Sequence, residues 1–528
     1  MLPRKTQTAE YWKGIKIEEH DIENLYEFFL EEELPCTAFS LSLALVKGRC
    51  EREEAFIKER LSQGTLFQPR GSYKIGEKLV FPALDYSIGI VVGERKGYNP
   101  KYGEFNVIEV RFEGEEGKRE FASEFPNPHK LNIEEVVPSG LLSPEEILSL
   151  YGEGLQERLV ERLRESEDFV EFGGEWFLKG LLADVRIGHL NIAEAMLDLA
   201  GKPLRTEELL EELELPADMK MEAKVFSLNY AIVGDERFED VGSGQVLWFL
   251  RRLIPKEASH PPRFLVYKPE PYERDYLDEE MLRLEEEIDD ELVERASEED
   301  VGAEVKSATI VLNYPHRRSG TIPLTAKTKS LFPKGGKRYT YVNLLDGRTG
   351  KSIPGWVVHR HDYVYGLLDW YEKNNVPVGA YIRLFRTDEP MKVGVDLITR
   401  RKERPWIRVA KEVEGRLVFE MQKRKSPISC EYDDFIILEE EDPSGINELR
   451  MGMEGRPLFD VMREVFPELA KLDPRGIVHA KTLYSAINLV RRSPPGPIFA
   501  ELASRDFFSP VGGGYWRISD EKKEVGEA

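Results

Sequence analysis

Cysteine is almost missing from this chain. Cys36, Cys50 and Cys430 are the only three in 528 residues, too few and too widely spaced for a zinc ladder or a disulfide framework. Long apolar runs are missing too, which argues against a membrane span. The basic start MLPRKTQTAEYWKG is followed by no apolar stretch of the kind a secretory signal needs. These absences together point to a reducing cytoplasm. The stretch FFSPVGGGYWRIS (507–519) holds three consecutive glycines but no Gly-Lys-Ser/Thr. A phosphate cradle needs a helix directly after the loop, and here a β-rich WRI leads into a charged tail.

What is present is charge, unevenly placed. The chain carries a net charge of −23, which as an average argues against a nucleic-acid partner. Between Glu270 and Glu304, however, stand 17 acidic and 3 basic residues, and between Val305 and Ser426 stand 25 basic and 11 acidic. A basic block inside an acidic protein is a local signal that the whole-chain balance hides. At 528 residues the chain is too long for one core. Its patterning divides it into helical 1–72, β-rich 73–130, helical 141–180 and 185–265, an acidic linker 270–304, a basic β region 305–440 and a helical close at 455–520. In the linker Leu277, Met281, Leu284, Ile288 and Leu292 fall at helical spacing, which predicts an amphipathic helix able to screen the basic region.

Four stretches share one pattern of a helix, an aromatic strand, a glycine turn and a second aromatic strand. They are LFQPRGSYKI (66–75), FVEFGGEWFL (169–178), RFEDVGSGQVLWFL (237–250) and FFSPVGGGYWRI (507–518). Glycine supplies the positive φ of tight hairpins, and helices followed by a hairpin describe a winged helix. The middle copy, with Ala200-Gly201-Lys202-Pro203, the TEELLEEL helix, Arg237-Phe238 and Trp248, resembles the HARE-HTH winged helix of the RNA polymerase delta subunit and of chromatin proteins. That resemblance implies a DNA- or polymerase-interaction module over about 190–253. Its helix AKVFSLNYAIVGD offers only Lys224 and Asn229 to a nucleic acid, which suits a protein contact. The last copy carries Lys481, Arg491, Arg492, Arg505 and Arg517 and is the better DNA binder.

The glycine-separated β runs from Tyr73 to Phe125 resemble KOW- or Tudor-type barrels. The stretch from SGTIPLTAKTKSLFP to YVYGLLDWYEKNNVPVGAYIRLF (319–385) resembles the DNA-binding pseudobarrel of plant auxin-response and abscisic-acid-insensitive factors, with Ala380 where that family has Asp. By that resemblance the base-reading arms correspond to Arg317–Lys329 and Arg348–Arg360.

The expected fold class is therefore α+β multidomain, with repeated winged-helix units, a small SH3/KOW-like β-barrel and a β pseudobarrel. Basic residues interleaved with aromatics suit phosphate contact and base stacking. They nominate Arg317, Arg318, Lys327, Lys329, Lys334, Lys337, Arg338, Arg348, Arg360, Arg400, Arg401, Lys402 and Arg404 beside Trp406, with Arg491, Arg492, Arg505 and Arg517 assisting. Catalytic signals are poor. His359 and His361, at strand spacing, lack a third metal ligand, Cys430 sits among acids, and the strand around Asp396 lacks a nuclease's partner carboxylate. The expectation is a non-enzymatic protein without cofactor or metal that binds double-stranded DNA, in transcription or chromosome handling. Two alternatives stay open: an RNA polymerase- or protein-binding adaptor, and a nuclease of a defence or repair system.

Overall fold

The computed structural model describes residues 2–113, 117–132, 141–293, 305–389 and 391–519. The chain forms two units, residues 1–190 with 210–234 and residues 191–209 with 235–528. Among the described residues no helix is long and apolar enough to cross a membrane.

The first unit is built on the helix Glu19–Glu32, which a capping box between Glu18 and Asp21 starts and whose Ile22, Leu25 and Phe29 face inward. A two-residue strand, Cys36–Thr37, follows. Thr37 then caps the 25-residue helix Ala38–Ser62 by accepting the Ser40 N–H. The short strand pairs antiparallel with Glu175–Leu178, which pairs with Phe169–Phe172. Segments 1–72 and 141–180, expected as separate domains, thus share one sheet and one core, in which Trp12, Phe29 and Leu41 pack with Leu159, Leu163 and Trp176.

Between these two segments the chain makes a five-stranded sheet, ordered Thr65–Leu66, Lys78–Phe81, Ser87–Asn99, Gly103–Phe112 and Arg119–Ser123. A register shift between Val91 and Gly93 marks a bulge in its long hairpin. The supposed hairpin at 66–75 is part of this sheet. Thr65–Leu66 runs parallel to Lys78–Phe81, Phe67 stacks on Phe81 at 4.5 Å, and Tyr73 joins the same core. Aromatics flanking a glycine fit the core of a sheet as well as a hairpin, so the pattern of helix and hairpin occurs at three places rather than four.

In the second unit a curled mixed sheet of seven strands takes the order Ser307–Val311, Tyr381–Arg386, Lys392–Leu397, Thr340–Asp346, Ser352–Val358, Tyr363–Tyr365 and Thr321–Pro323. One pairing in it is parallel, Thr340–Asp346 with Lys392–Leu397. Its inner face, including Ile310, Leu344, Val364, Ile382 and Val395, packs with Ile407 and Ile428 from the strands that follow. Those strands are Thr399–Glu403 against Ile428–Cys430, and Trp406–Val413 between Arg416–Lys423 and Leu438–Glu440.

The chain closes with the helix Leu458–Ala470, the strand Ile477–His479, the helices Ala480–Val490 and Pro495–Ser504, and the hairpin Phe508–Gly512/Tyr515–Ile518. The pairing Val478↔Trp516 repeats Cys36↔Trp176 in the first unit and Leu204↔Trp248 in the second. All three tryptophans are buried. In each copy the segment after the first helix, a strand in two of them and a single bridging residue in the middle one, pairs with the last strand of the hairpin at a tryptophan. The glycines of FFSPVGGGYWRIS are turn residues, with φ of 94°, 63° and 73° at Gly512, Gly513 and Gly514, a backbone region that a β-carbon disfavours.

The acidic stretch is not a detachable linker. Its helix, Glu279–Ile288, starts at the Asp278 cap. Leu277, Met281, Leu284 and Ile288 lie in the same core as Tyr484, Ile487, Phe499 and Leu502. The remainder of the expected linker, 294–304, lies outside the described residues.

Candidate nucleic-acid interface

The acidic helix ends at Asp289, whose φ of 51° turns the chain inward. Three carboxylates, Asp289, Asp290 and Glu291, are thereby buried. Buried anions persist only when paired and hydrogen-bonded. Arg492 meets Asp290 through both terminal nitrogens, at 2.6 and 2.8 Å, and Glu291 at 2.7 Å. Tyr484 donates to Asp290 at 2.6 Å, His316 Nε2 lies 2.9 Å from Glu291, and Thr325 donates to Asp289 at 2.6 Å. Burial pushes the Asp290 carboxyl up. Burial acts the same way on Glu291, yet the charges of Arg492 and His316 outweigh it and hold that carboxyl below the usual range.

Arg491 and Arg492 therefore do not offer charge to DNA. Arg492 is 2% exposed, and Arg491, also buried, pairs with Glu270 at 2.5 Å. Lys481 pairs with Glu287 at 2.7 Å and Asp433 at 2.8 Å. The helix Ala480–Val490 is buried along its whole length and Pro495–Ser504 along most of it, so neither helix presents a face to a groove.

Other nominated cations are partnered nearer the surface. Arg317 donates to the Val376 carbonyl at 2.7 Å, and its guanidinium carbon lies 5.6 Å from the Tyr371 ring centre; burial lowers its pKa. Arg318 meets Glu440 at 3.1 Å and lies over Phe264. Lys327 donates to the Glu286 carbonyl, Lys329 faces Asp362, Lys337 faces Asp240 and Arg338 donates to the Ser259 carbonyl. Arg348 donates to Asn374, and Arg505 pairs with Glu501 one turn away on its own helix. Arg517 lies on the exposed side of the last strand.

Lys334, Arg360, Arg401, Lys402 and Arg404 are exposed, and among the described residues none forms an ion pair. Three of these five lie in one run. In the strand Thr399–Glu403, Arg400 is held by Glu403 at 3.2 Å and lies 5.0 Å from the Tyr432 ring centre, while Tyr432 donates to Glu403 at 3.1 Å. That lock leaves Arg401, Lys402 and Arg404 pointing to solvent. Trp406 opens the next strand at 65% exposure, directly opposite Lys423. The Arg424 N–H donates to the Pro405 carbonyl at 2.9 Å, pinning the far end of the hairpin to this run. Along QKRKS the strand alternation turns Arg424 in toward Glu439 and leaves Lys423 and Lys425 exposed. Sequence reasoning did not single out Lys423 and Lys425, although that alternation was the available signal.

No comparable arrangement occurs at the residues with catalytic potential. His359 and His361 sit in a 3-10 turn, not on a strand, and burial lowers both of their pKa values. Among the described residues no group of three or more His, Cys, Asp or Glu is placed to hold a metal ion. Burial pushes the Cys430 thiol up. His479 stacks on Phe435 at 3.7 Å between ring centres, and its Nδ1 accepts the Lys481 N–H at 3.2 Å. Burial, helped by the Lys481 charge, brings its pKa down to about 4. A cleft of about 530 Å³ in the first unit is lined by Arg4, Lys5, Arg49 and Arg52. Their partners are already in place, with Arg49 and Arg52 on Asp21, Arg4 on Glu54 and Lys5 on Asp85.

Comparison with protein-family models, with curated proteins and with solved structures returned no match to this chain.

Proposed function

We propose that this protein binds DNA, without catalysing a reaction on it, through the exposed basic surface around Trp406. The observation that carries the reading is the group Arg401, Lys402, Arg404, Lys423 and Lys425, all exposed beside an exposed tryptophan and held by no carboxylate among the described residues. At Arg491, Arg492 and Lys481 the fold uses its carboxylates to neutralise its cations. Here it leaves them to repel one another, an arrangement that a polyanion relieves while releasing its own counterions. The recurring order of helix, strand, helices and hairpin supports the winged-helix reading of the three copies. With its helices buried, the last copy acts in this reading as a scaffold, and the strands after the curled sheet carry the contact.

The test is a mobility-shift titration of the full chain against DNA at several salt concentrations. Affinity should fall linearly with salt on a double-logarithmic plot. Arg401→Glu/Lys402→Glu/Arg404→Glu should weaken binding at every sequence and flatten the slope by about one unit for each phosphate no longer neutralised. Unchanged affinity and slope in the triple variant would remove this surface from the function.

A further inference from the structure

We infer that the strand this surface prefers is single, and that an unpaired base stacks on the Trp406 indole. The inference rests on the DNA-binding reading above and deepens it. An indole offers a large apolar area that folding ordinarily buries, and Trp176, Trp248 and Trp516 are indeed buried. Trp406 is 65% exposed, and among the described residues no aromatic ring packs against it. Its position at the start of a strand is fixed by pairing with Lys423, so the exposure belongs to the sheet and not to a mobile loop.

Beside it the next pair in register on the same face is Arg408↔Met421. Arg408 turns inward and donates to the carbonyls of Asp434 and Phe435, both at 2.6 Å, whereas Met421 is 43% exposed. Trp406 and Met421 thus form an apolar step with Lys423 across from the indole and Arg404 before it. This is the combination that single-stranded nucleic acid uses, cations for the backbone and a flat ring for a base face. A duplex hides its base faces in the stack, so it would meet the charges and leave the indole unused. Duplex reading from a groove uses an exposed helix or a two-stranded ribbon; the two helices that precede the last hairpin are covered, and on the ribbon that carries Trp406 the indole would find no base face in a groove.

Full-length protein is titrated by fluorescence anisotropy with a labelled oligo-dT of about twenty nucleotides, enough to span one single-strand site, with oligo-U of the same length and with a blunt duplex. The proteins are wild type, Trp406→Ala, Trp406→Phe and the triple charge reversal. The expected result is oligo-dT or oligo-U binding at least about tenfold tighter than duplex, the scale of one stacked base. Loss of that base in Trp406→Ala should weaken single-strand binding by roughly 5- to 150-fold, with duplex binding unchanged and most affinity kept by Trp406→Phe. Intrinsic tryptophan fluorescence should be quenched by single strand in wild type and far less in Trp406→Phe. The dT and U arms show whether DNA or RNA supplies the strand. Duplex binding as tight as single strand, or a Trp406→Ala effect that is absent or equal on both, overturns this inference and leaves DNA binding standing. Failure of all three probes to bind overturns both.

Discussion

Arg492 separates a core role from a surface role more sharply than any other residue, because charge counting nominates it for DNA and the fold seals it in. Its guanidinium serves Asp290 and Glu291 at 2.6 to 2.8 Å with the surroundings fully buried. Arg492→Met keeps the side-chain length and removes the charge, leaving two carboxylates in a dry site. Breaking a buried pair in this way costs about 3–5 kcal/mol. A unit of about 300 residues loses roughly 2.1 cal/mol/K per residue in folding entropy. The midpoint of its thermal transition, followed by circular dichroism, should therefore drop by about 5–8 °C. Asp290→Asn in the same background removes one of the stranded charges and should recover part of that loss. Affinity for DNA, measured well below the transition, should not change. A variant that melts within a degree of wild type yet binds DNA several-fold more weakly would refute the placement of Arg492 in the core.

His479 gives a pH signature. Its imidazole titrates near 4 in the fold against an ordinary 6.5. Above pH 6.5 neither state is protonated and the group is silent. Between pH 6.5 and 4 the unfolded chain takes up a proton that the folded chain refuses, so stability falls as pH falls, by up to about 3 kcal/mol. His479→Asn keeps a side-chain acceptor for the Lys481 N–H and should flatten the dependence of the denaturant midpoint in that window; parallel curves for the two proteins would exclude His479 as the cause. Deleting 279–291 removes Met281, Leu284, Ile288 and the carboxylates that neutralise Arg492. The second unit should then lose its cooperative transition, whereas a simple electrostatic screen would leave the fold intact and DNA binding tighter.

Much of the local structure was readable. The aromatic-glycine hairpins at 169–178, 237–250 and 507–518 form, and the spacing of Leu277, Met281, Leu284 and Ile288 marks a buried helical face. Pairing across distance was not readable. A two-residue strand such as Cys36–Thr37 has too little pattern to announce its partner at Trp176. Hence one sheet was divided between two domains. Charge was misread for the same reason. Arg491 and Arg492 look like surface cations until Glu270, Asp290 and Glu291, some 200 residues earlier, are brought against them. Arg401, Lys402 and Trp406 were legible because nothing distant claims them, so the local run of cations and the ring tells the whole of their surroundings.

The five-stranded insert also sets a timetable. The edge at Cys36–Thr37 must wait for a strand about 140 residues downstream before its sheet can close. At ribosomal speeds of about 5–20 residues per second that wait is on the order of ten seconds. The strands from 65 to 123 leave the ribosome complete within it. During nascent-chain growth the insert is thus positioned to fold first, while Phe29, Leu41 and Leu45 remain without Leu159, Phe169 and Trp176 to cover them. The helices Glu19–Glu32 and Ala38–Ser62 are thus sheltered only after the insert behind them is complete, which makes the half-built chain, rather than the finished protein, the form most in need of a chaperone.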